Sequence, residues 1–283
     1  MLIDVEVTNP SNVKPELGAV TMELWTYNKT DADSGFKIGE VTVEDFTLDA
    51  NEDKNAVTTF LGVPATYITP TDGEKSEAAG SLFLSNFVSG INQTAALRGA
   101  ADGSGTDRDL LKPALAAMRS TSSVPGLVGN LLRRSTMHLP NPFGHDSLYN
   151  LPTDLYVYNP FSADMTMTSS HCDIIACREY ADDTYTKCKT WYDESAGYYT
   201  PDALDETVKA GETKKLDTRE VKLNSILSAE MIQTLFSSAG GGALIKLNGT
   251  MGVSVGDFHM DVYVAEHDVP ICLAYAGSLH NCD

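Results

Sequence analysis

The sequence is organised around Asp154-Leu-Tyr-Val-Tyr-Asn-Pro-Phe-Ser-Ala-Asp-Met-Thr-Met167. Leu155 and Val157 alternate with polar or amphipathic neighbours, which is the period of two typical of a half-buried strand. Asn159-Pro160 then ends the strand, because proline cannot donate to a ladder and Asn-Pro favours a turn. The two methionines at the end of the stretch resume the alternation. The stretch therefore predicts a strand, a corner and a second strand.

The same pattern opens the chain. Alternating apolar residues lead into Asn9-Pro10, and a second alternating run follows it. A pattern that recurs at long range is the signature of repeated structural units. The simplest interpretation is two copies of one β-module. The alternating residues before the first corner are Ile3, Val5 and Val7, and those after it are Val20, Met22 and Leu24.

Three further segments resemble elements of a known family. They are Phe36-Lys-Ile-Gly-Glu-Val41, Val124-Pro-Gly-Leu-Val-Gly-Asn-Leu-Leu132 and Leu247-Asn-Gly-Thr-Met-Gly-Val-Ser-Val255. Together with the strands that meet at Asn-Pro, they make most of the chain similar to the late-embryogenesis-abundant group-two (LEA-like) family, also called the water-stress and hypersensitive-response (WHy) domain. The resemblance implies a small antiparallel β-sandwich with a short helix near its end. It implies no catalytic residues.

We therefore expect an all-β fold with minor helix: two tandem antiparallel β-sandwich modules of immunoglobulin/fibronectin type, each with a short helix. The first module is expected over residues 1–122, ending in a helical linker, and the second over 123–283, with a linker at Ser120–Gly126. The predicted helices are Glu74–Ser89, Arg108–Arg119 and Ser225–Phe236. The predicted closing strands are Ala243–Val255, Asp257–Val264 and Val269–Ala274.

The net charge of the chain limits the classes of molecule that are expected to bind it. The 283 residues carry a formal net charge of −19 at neutral pH, with the acidic residues spread along the chain. Such a surface repels phosphate backbones, so nucleic acid and anionic membranes are not expected as partners. No apolar run approaches the roughly 20 residues that a membrane-spanning helix needs.

The five cysteines all lie in the second half of the chain, and their clustering is typical of a disulfide-stapled loop in a secreted protein. The spacing favours two local pairs, Cys177 with Cys188 and Cys272 with Cys282, which would leave Cys172 free or paired between chains. A link between Cys172 and Cys272 is the alternative.

Three Asn-x-Ser/Thr triplets are potential N-linked glycan acceptors. They begin at Asn28, Asn92 and Asn248. Together with the cysteines, they predict a glycoprotein of the secretory pathway that is extracellular or on the cell surface.

The patterns that could carry chemistry are incomplete. Asp102-Gly-Ser-Gly-Thr106 looks like a metal-binding adhesion loop, but a flexible linker before a helix is the better interpretation. A calcium loop starting at Asp49 has Lys54 in place of the required glycine. The histidines form no His-Glu-x-x-His pair, and no Gly-x-Ser-x-Gly elbow is present. We expect neither an enzyme nor a cofactor.

The insertion between Cys177 and Tyr199 is rich in aromatic residues. They either cover the edge of the sandwich or form a recognition surface, because tyrosine and tryptophan supply rigid contact area with a polar handle. The sequence favours the two interpretations equally. The residues are Tyr180, Tyr185, Trp191, Tyr192, Tyr198 and Tyr199.

The main functional hypothesis is a non-catalytic structural or interaction module. Its protein partners would include copies of itself, in an extracellular filament, coat or adhesive assembly built by pairing of edge strands. The alternative is a lipid- or small-ligand-binding module that uses an apolar cavity between the sheets. A hydrolase is a third hypothesis. It would require two of His138, His145 and His171 to converge with an acid.

Overall fold

The chain divides into two units, Met1–Gly126 and Leu127–Asp283. The computed structural model describes residues 2–8, 12, 14, 16–27, 35–49, 57–67, 73–138, 150–161, 163–182, 186–199, 205–224, 242–255, 258–275 and 278–280. Strands dominate both units, so the all-β class with minor helix is confirmed. The boundary predicted at 122/123 falls inside a strand of the first unit.

The described part of the first unit consists of six strands and two helices. The strands are β1 (Leu2–Thr8), β2 (Val20–Thr26), β3 (Lys37–Val43), β4 (Val57–Tyr67), β5 (Gln93–Gly99) and β6 (Arg119–Val124). The helices are α1 (Glu74–Val88) and α2 (Lys112–Ala116).

The six strands form a closed antiparallel barrel in the order β1-β4-β3-β2-β5-β6. Closure comes from β6, which pairs with β5 along its whole length and with β1 at Asp4↔Ser123 and Val5↔Ser122. A sandwich would have two separate sheets, whereas here one sheet returns to its first strand. The immunoglobulin-like sandwich is therefore not confirmed.

Alternation in the sequence sets the barrel interior. Ile3, Val5 and Val7 are buried, as are Met22 and Leu24, in agreement with their spacing of two. Since successive side chains of a strand point to opposite faces, these residues share the inner face. The barrel core is therefore built from the residues that the period-two pattern selects.

The helix α1 lies where the sequence predicts it. Its buried apolar residues are Phe83, Leu84, Phe87 and Val88. Leu82, although apolar, is 63% exposed. The buried side of α1 is therefore the side that carries Phe83 and Phe87.

The helix predicted over Arg108–Arg119 is wrong in length. Only Lys112–Ala116 is helical, with Pro113 in the first turn. Proline is tolerated there but removes a hydrogen bond from a helix interior, so the helix cannot begin as early as Arg108. The predicted linker is also partly wrong, because most of Ser120–Gly126 belongs to β6. Ser122 and Val124 of β6 are buried.

The second unit contains eleven described strands. They are β7 (Leu132–His138), β8 (Asn150–Tyr158), β9 (Met165–Tyr180), β10 (Cys188–Trp191), β11 (Gly197–Tyr199), β12 (Glu206–Val208), β13 (Thr213–Lys215), β14 (Arg219–Leu223), β15 (Gly242–Val255), β16 (Phe258–Tyr275) and β17 (Ser278–His280). The predicted helix Ser225–Phe236 lies outside the described residues.

The pairings of the second unit run through β9-β11-β14-β8-β7-β16-β15, and β15 pairs with β9 again. The expectation of a purely antiparallel sheet is wrong, because β7 and β16 pair in parallel at Ile271↔Ser135. The predicted strands Asp257–Val264 and Val269–Ala274 form one continuous strand, β16. A β-bulge joins them, with His267 and Asp268 opposite the single residue Lys246.

The corner at Asn159 is held by a buried amide. Asn159 is fully buried, and its Nδ2 donates to the carbonyl oxygens of Ala163 and Val208, each at 2.8 Å. Its Oδ1 accepts from the backbone nitrogen of Phe161 at 2.9 Å. Its own backbone nitrogen donates to Glu212. One side chain thus ties the end of β8 to the start of β9 and to the β12–β13 hairpin.

Replacing Asn159 with alanine should lower the free energy of unfolding of the second unit by about 2–4 kcal/mol, because it leaves buried backbone groups without partners. Chemical denaturation followed by circular dichroism measures the change. Asn224→Ala is the matched control, since Asn224 also donates to a backbone carbonyl, that of Ser195, but is exposed. Equal losses in the two variants would contradict a special role for the corner.

Candidate functional site: an apolar pocket in the first unit

A pocket of about 480 Å³ opens in the first unit. One wall comes from the barrel and from the segments beside it, and the other from α2 and the turns around it. The barrel side is lined by Val7, Leu17, Val20, Phe46 and Leu48. The α2 side is lined by Thr106, Leu111, Ala114, Leu115 and Met118.

The barrel wall is ordered by backbone pairing outside the regular strands. The nitrogen of Leu17 donates to the carbonyl of Phe46, and the nitrogen of Phe46 donates to the carbonyl of Gly18. The Phe46 ring also stacks on Phe60 of β4, with 4.9 Å between the centroids. These contacts fix the position of Phe46, which supplies the aromatic ring of the described lining.

The α2 wall lies close to the barrel because a strand residue has no side chain. A Cβ on Gly99, at the end of β5, would fall 1.7 Å from the carbonyl oxygen of Leu115. Glycine is therefore required for this approach. Leu115 is buried, whereas Ala114 lines the pocket and is also exposed to solvent, so the pocket reaches the surface at α2.

The described lining holds a single hydroxyl, that of Thr106, and no ionisable side chain. Thr106 Oγ1 accepts from the backbone nitrogen of Arg108 at 3.3 Å. Such a lining can bind an apolar molecule, and its described side chains include no general base. Local sequence patterns do not predict this site, because its residues come from separate segments that individually resemble a strand, a turn or a helix.

The structure confirms one of the two predicted local disulfides. Cys177 and Cys188 form a disulfide, with 5.8 Å between their Cα atoms. Cys272 is disulfide-bonded too, and its predicted partner Cys282 lies outside the described residues. Cys172 is a free, buried thiol, which excludes the alternative link to Cys272. Burial raises the pKa of the Cys172 thiol to about 11.

The predicted aromatic surface is mostly half-buried. Tyr199 is only 2% exposed and belongs to the core, where its hydroxyl lies 3.0 Å from Ser135 Oγ. Burial raises the pKa of this tyrosine. Tyr185 lies outside the described residues. Tyr180, Trp191, Tyr192 and Tyr198 are half-buried.

The sequons differ in accessibility. Asn28 lies outside the described residues. Asn92 is exposed in the turn before β5, and its Oδ1 accepts from the nitrogen of Gly126. Asn248 is half-buried within β15, where the Tyr263 hydroxyl donates to its side-chain oxygen.

The histidines of the hydrolase hypothesis occupy different positions. His138 Nε2 lies 2.9 Å from Asp154 Oδ2, which also pairs with Lys215. Burial alone would raise the pKa of Asp154, but hydrogen bonds from Lys215, Thr218 and His138 hold it below its usual range. His171 is exposed on β9, and His145 lies outside the described residues. Within the described parts of the chain, no group of three or more His, Cys, Asp or Glu residues could hold a metal ion.

The sequence also did not predict the buried carboxylate of Glu266, which lies at the β16 bulge. Glu266 is 2% exposed and accepts hydrogen bonds from the backbone nitrogens of Leu131 and Leu132, the latter at 3.0 Å. Burial raises the pKa of Glu266 to about 7, although the two amides and Arg133 oppose the shift. In the sequence it stands between Ala265 and His267 in an alternating strand, where glutamate normally predicts an exposed position.

Comparison with known proteins does not assign the chain to a family. No protein-family model matches it, and no curated protein matches it significantly. Across the described residues, no helix is long and apolar enough to cross a membrane.

Glu266 predicts a pH dependence of stability. The folded protein holds this proton more tightly than the unfolded chain, so its contribution is most favourable below the ordinary glutamate pKa. That contribution falls as the pH rises and levels off above about 7, a loss of roughly 3 kcal/mol at most. Urea denaturation over this pH range should show the loss in the native protein but not in Glu266→Gln.

Glu220→Gln is the matched control, because it removes an equal charge from an exposed position on β14. It should retain the pH dependence of the native protein. A loss of stability that persists in Glu266→Gln would assign the titration to another group.

Proposed function

We propose that this protein is a non-catalytic binding protein whose first unit holds an apolar small molecule or lipid chain. The observation that carries the proposal is the pocket of about 480 Å³, with its almost wholly apolar described lining. Ligand pockets in proteins typically measure about 300–1,000 Å³ and are mainly apolar. The size and the chemistry of the pocket both fit this class.

Burial of apolar ligand surface supplies the binding energy. Each square ångström of apolar surface removed from water contributes roughly 25 cal/mol, before the cost of immobilising the ligand. The lining contributes aliphatic side chains and one aromatic ring, with Thr106 as the described polar exception. The pocket therefore favours ligands without polar groups along the buried portion.

The barrel disfavours the assembly hypothesis for this unit. Pairing between subunits requires an unpaired strand edge, and closure of a barrel removes such edges. All six described strands of the first unit have a partner on both sides.

A bulky side chain in the pocket should weaken binding of an apolar ligand. Ala114→Trp places an indole at the mouth, so the affinity for decanol should fall about tenfold or more because the ligand loses its buried surface. Isothermal titration calorimetry measures the affinity. Ala117→Trp is the matched control, since Ala117 is exposed at the end of the same short helix and does not line the pocket.

Both variants should unfold at nearly the native temperature, because both positions are exposed. The proposal is wrong if the native protein does not bind decanol, or if Ala114→Trp binds it as tightly as Ala117→Trp does.

A protein-interaction role for the second unit is the second candidate. Its solvent face carries a row of exposed side chains that lie opposite one another on three paired strands: His171, Thr250 and Tyr263. The half-buried ring of Tyr198 lies beside this row, with its centroid 6.5 Å from that of His171. Tyr263 is 49% exposed. Tyrosine is enriched at protein interfaces, which supports a contact with a second copy of the chain.

Tyr263→Ala should shift the protein from an oligomer to a monomer in sedimentation velocity, because it removes an exposed tyrosine ring from this row. Tyr27→Ala, which alters an exposed tyrosine of the first unit, should leave the oligomer intact. A native protein that sediments as a monomer at every concentration would exclude this role.

We further propose membership of the WHy-like family and residence in the secretory pathway with N-linked glycan. The strand–Asn159–strand corner supports the first, because it follows the pattern on which the resemblance rests. The disulfide between Cys177 and Cys188 and the exposed sequon at Asn92 support the second. Intact mass before and after deglycosylation and reduction tests the compartment.

A further inference from the structure

We infer that the pocket takes an amphipathic ligand, an apolar chain ending in an anionic head group, and that the Arg108 guanidinium binds the head. The inference rests on the proposed function, since it specifies the ligand class of the same pocket. It assigns a specificity-determining residue outside the apolar lining.

The backbone holds Arg108 between two lining residues. Its nitrogen donates to Thr106 Oγ1 at 3.3 Å, and its carbonyl accepts from the nitrogen of Leu111 at 2.8 Å. Thr106 and Leu111 both line the pocket. Arg108 is therefore anchored at the pocket rim.

The side chain of Arg108 reaches across to the barrel wall. One terminal guanidinium nitrogen lies 3.7 Å from where a Cβ on Gly18 would be. Gly18 follows Leu17, a residue of the barrel wall, and its carbonyl accepts from the nitrogen of Phe46, another residue of that wall. The guanidinium therefore lies next to the barrel-side segment that adjoins the pocket.

The charge of Arg108 is available to a ligand. Among the described residues Arg108 makes no ion pair, whereas the neighbouring Lys112 pairs with Asp109 at 2.7 Å. Arg108 is also exposed to solvent. A guanidinium presents a planar fork of N–H donors that matches a carboxylate in a bidentate arrangement.

The net charge of −19 opposes an anion at long range. At physiological salt, however, charges farther apart than about 8 Å are largely screened, so the nearby groups matter most. Asp107 and Asp109 flank Arg108 in the chain, and Asp109 is paired with Lys112, so the Arg108 guanidinium is the local cation that can attract an anion. An anionic head at Arg108 with its chain in the pocket satisfies both parts of the site.

The test compares two ligands with the same chain, decanoate and decanol, by isothermal titration calorimetry on the full chain at neutral pH. Arg108→Gln should weaken binding of decanoate about tenfold and change binding of decanol less than about twofold, because only the carboxylate loses a charge-assisted partner. Lys112→Gln is the matched control. It removes the same charge from the same segment and should change neither affinity appreciably.

The outcomes separate the inference from the proposed function. If decanol binds and Arg108→Gln weakens both ligands equally or neither, the pocket binds apolar chains and the head-group inference is wrong. Equal weakening of decanoate by Lys112→Gln would assign the effect to net charge and also overturn it. If neither ligand binds the native protein, both proposals fail.

Discussion

The first unit depends on the pairing of its first strand with its last. β6 bridges β1 and β5, so one short strand turns an open sheet into a closed barrel. Ser120 adds a hydrogen bond from its hydroxyl to the carbonyl of Glu6. Without β6, the alternating residues of β1 and β5 would form the walls of an open sheet, and their apolar sides would face water. The position of α2 follows from the same closure, because it precedes β6 directly in the chain.

The pocket is left open because the helix that covers this side of the barrel is short. Pro113 delays the start of α2, and β6 begins three residues after the helix ends, so only five residues are helical. Five residues cannot fill the space above the barrel interior, and Phe46 and Leu48 line the side opposite α2. In the second unit, two buried polar side chains satisfy backbone groups. Asn159 does so at the corner between β8 and β9, and Glu266 does so at the start of β7.

The sequence predicted what depends on local pattern. β1 and α1 follow from alternation and helical spacing, and the corner follows from Asn159-Pro160. β6 was mistaken for a linker because Ser120-Thr-Ser-Ser-Val124 has the composition of a loop, and only its partners make it a strand. The parallel pairing of β7 with β16 and the burial of Glu266 depend on contacts between distant residues, which no local pattern encodes. The same holds for the pocket, whose described lining spans Val7 to Met118.

Closure by the last strand has a consequence for biosynthesis. β1 leaves the ribosome before its partner β6, which ends only at Val124. Until then the apolar residues of β1 have β4 as a partner on one side only. Contacts between distant residues also slow folding, because loop-closure entropy is lost before they form. The nascent first unit therefore stays partly exposed until β6 has been made, and this is the stage at which it would need a chaperone most.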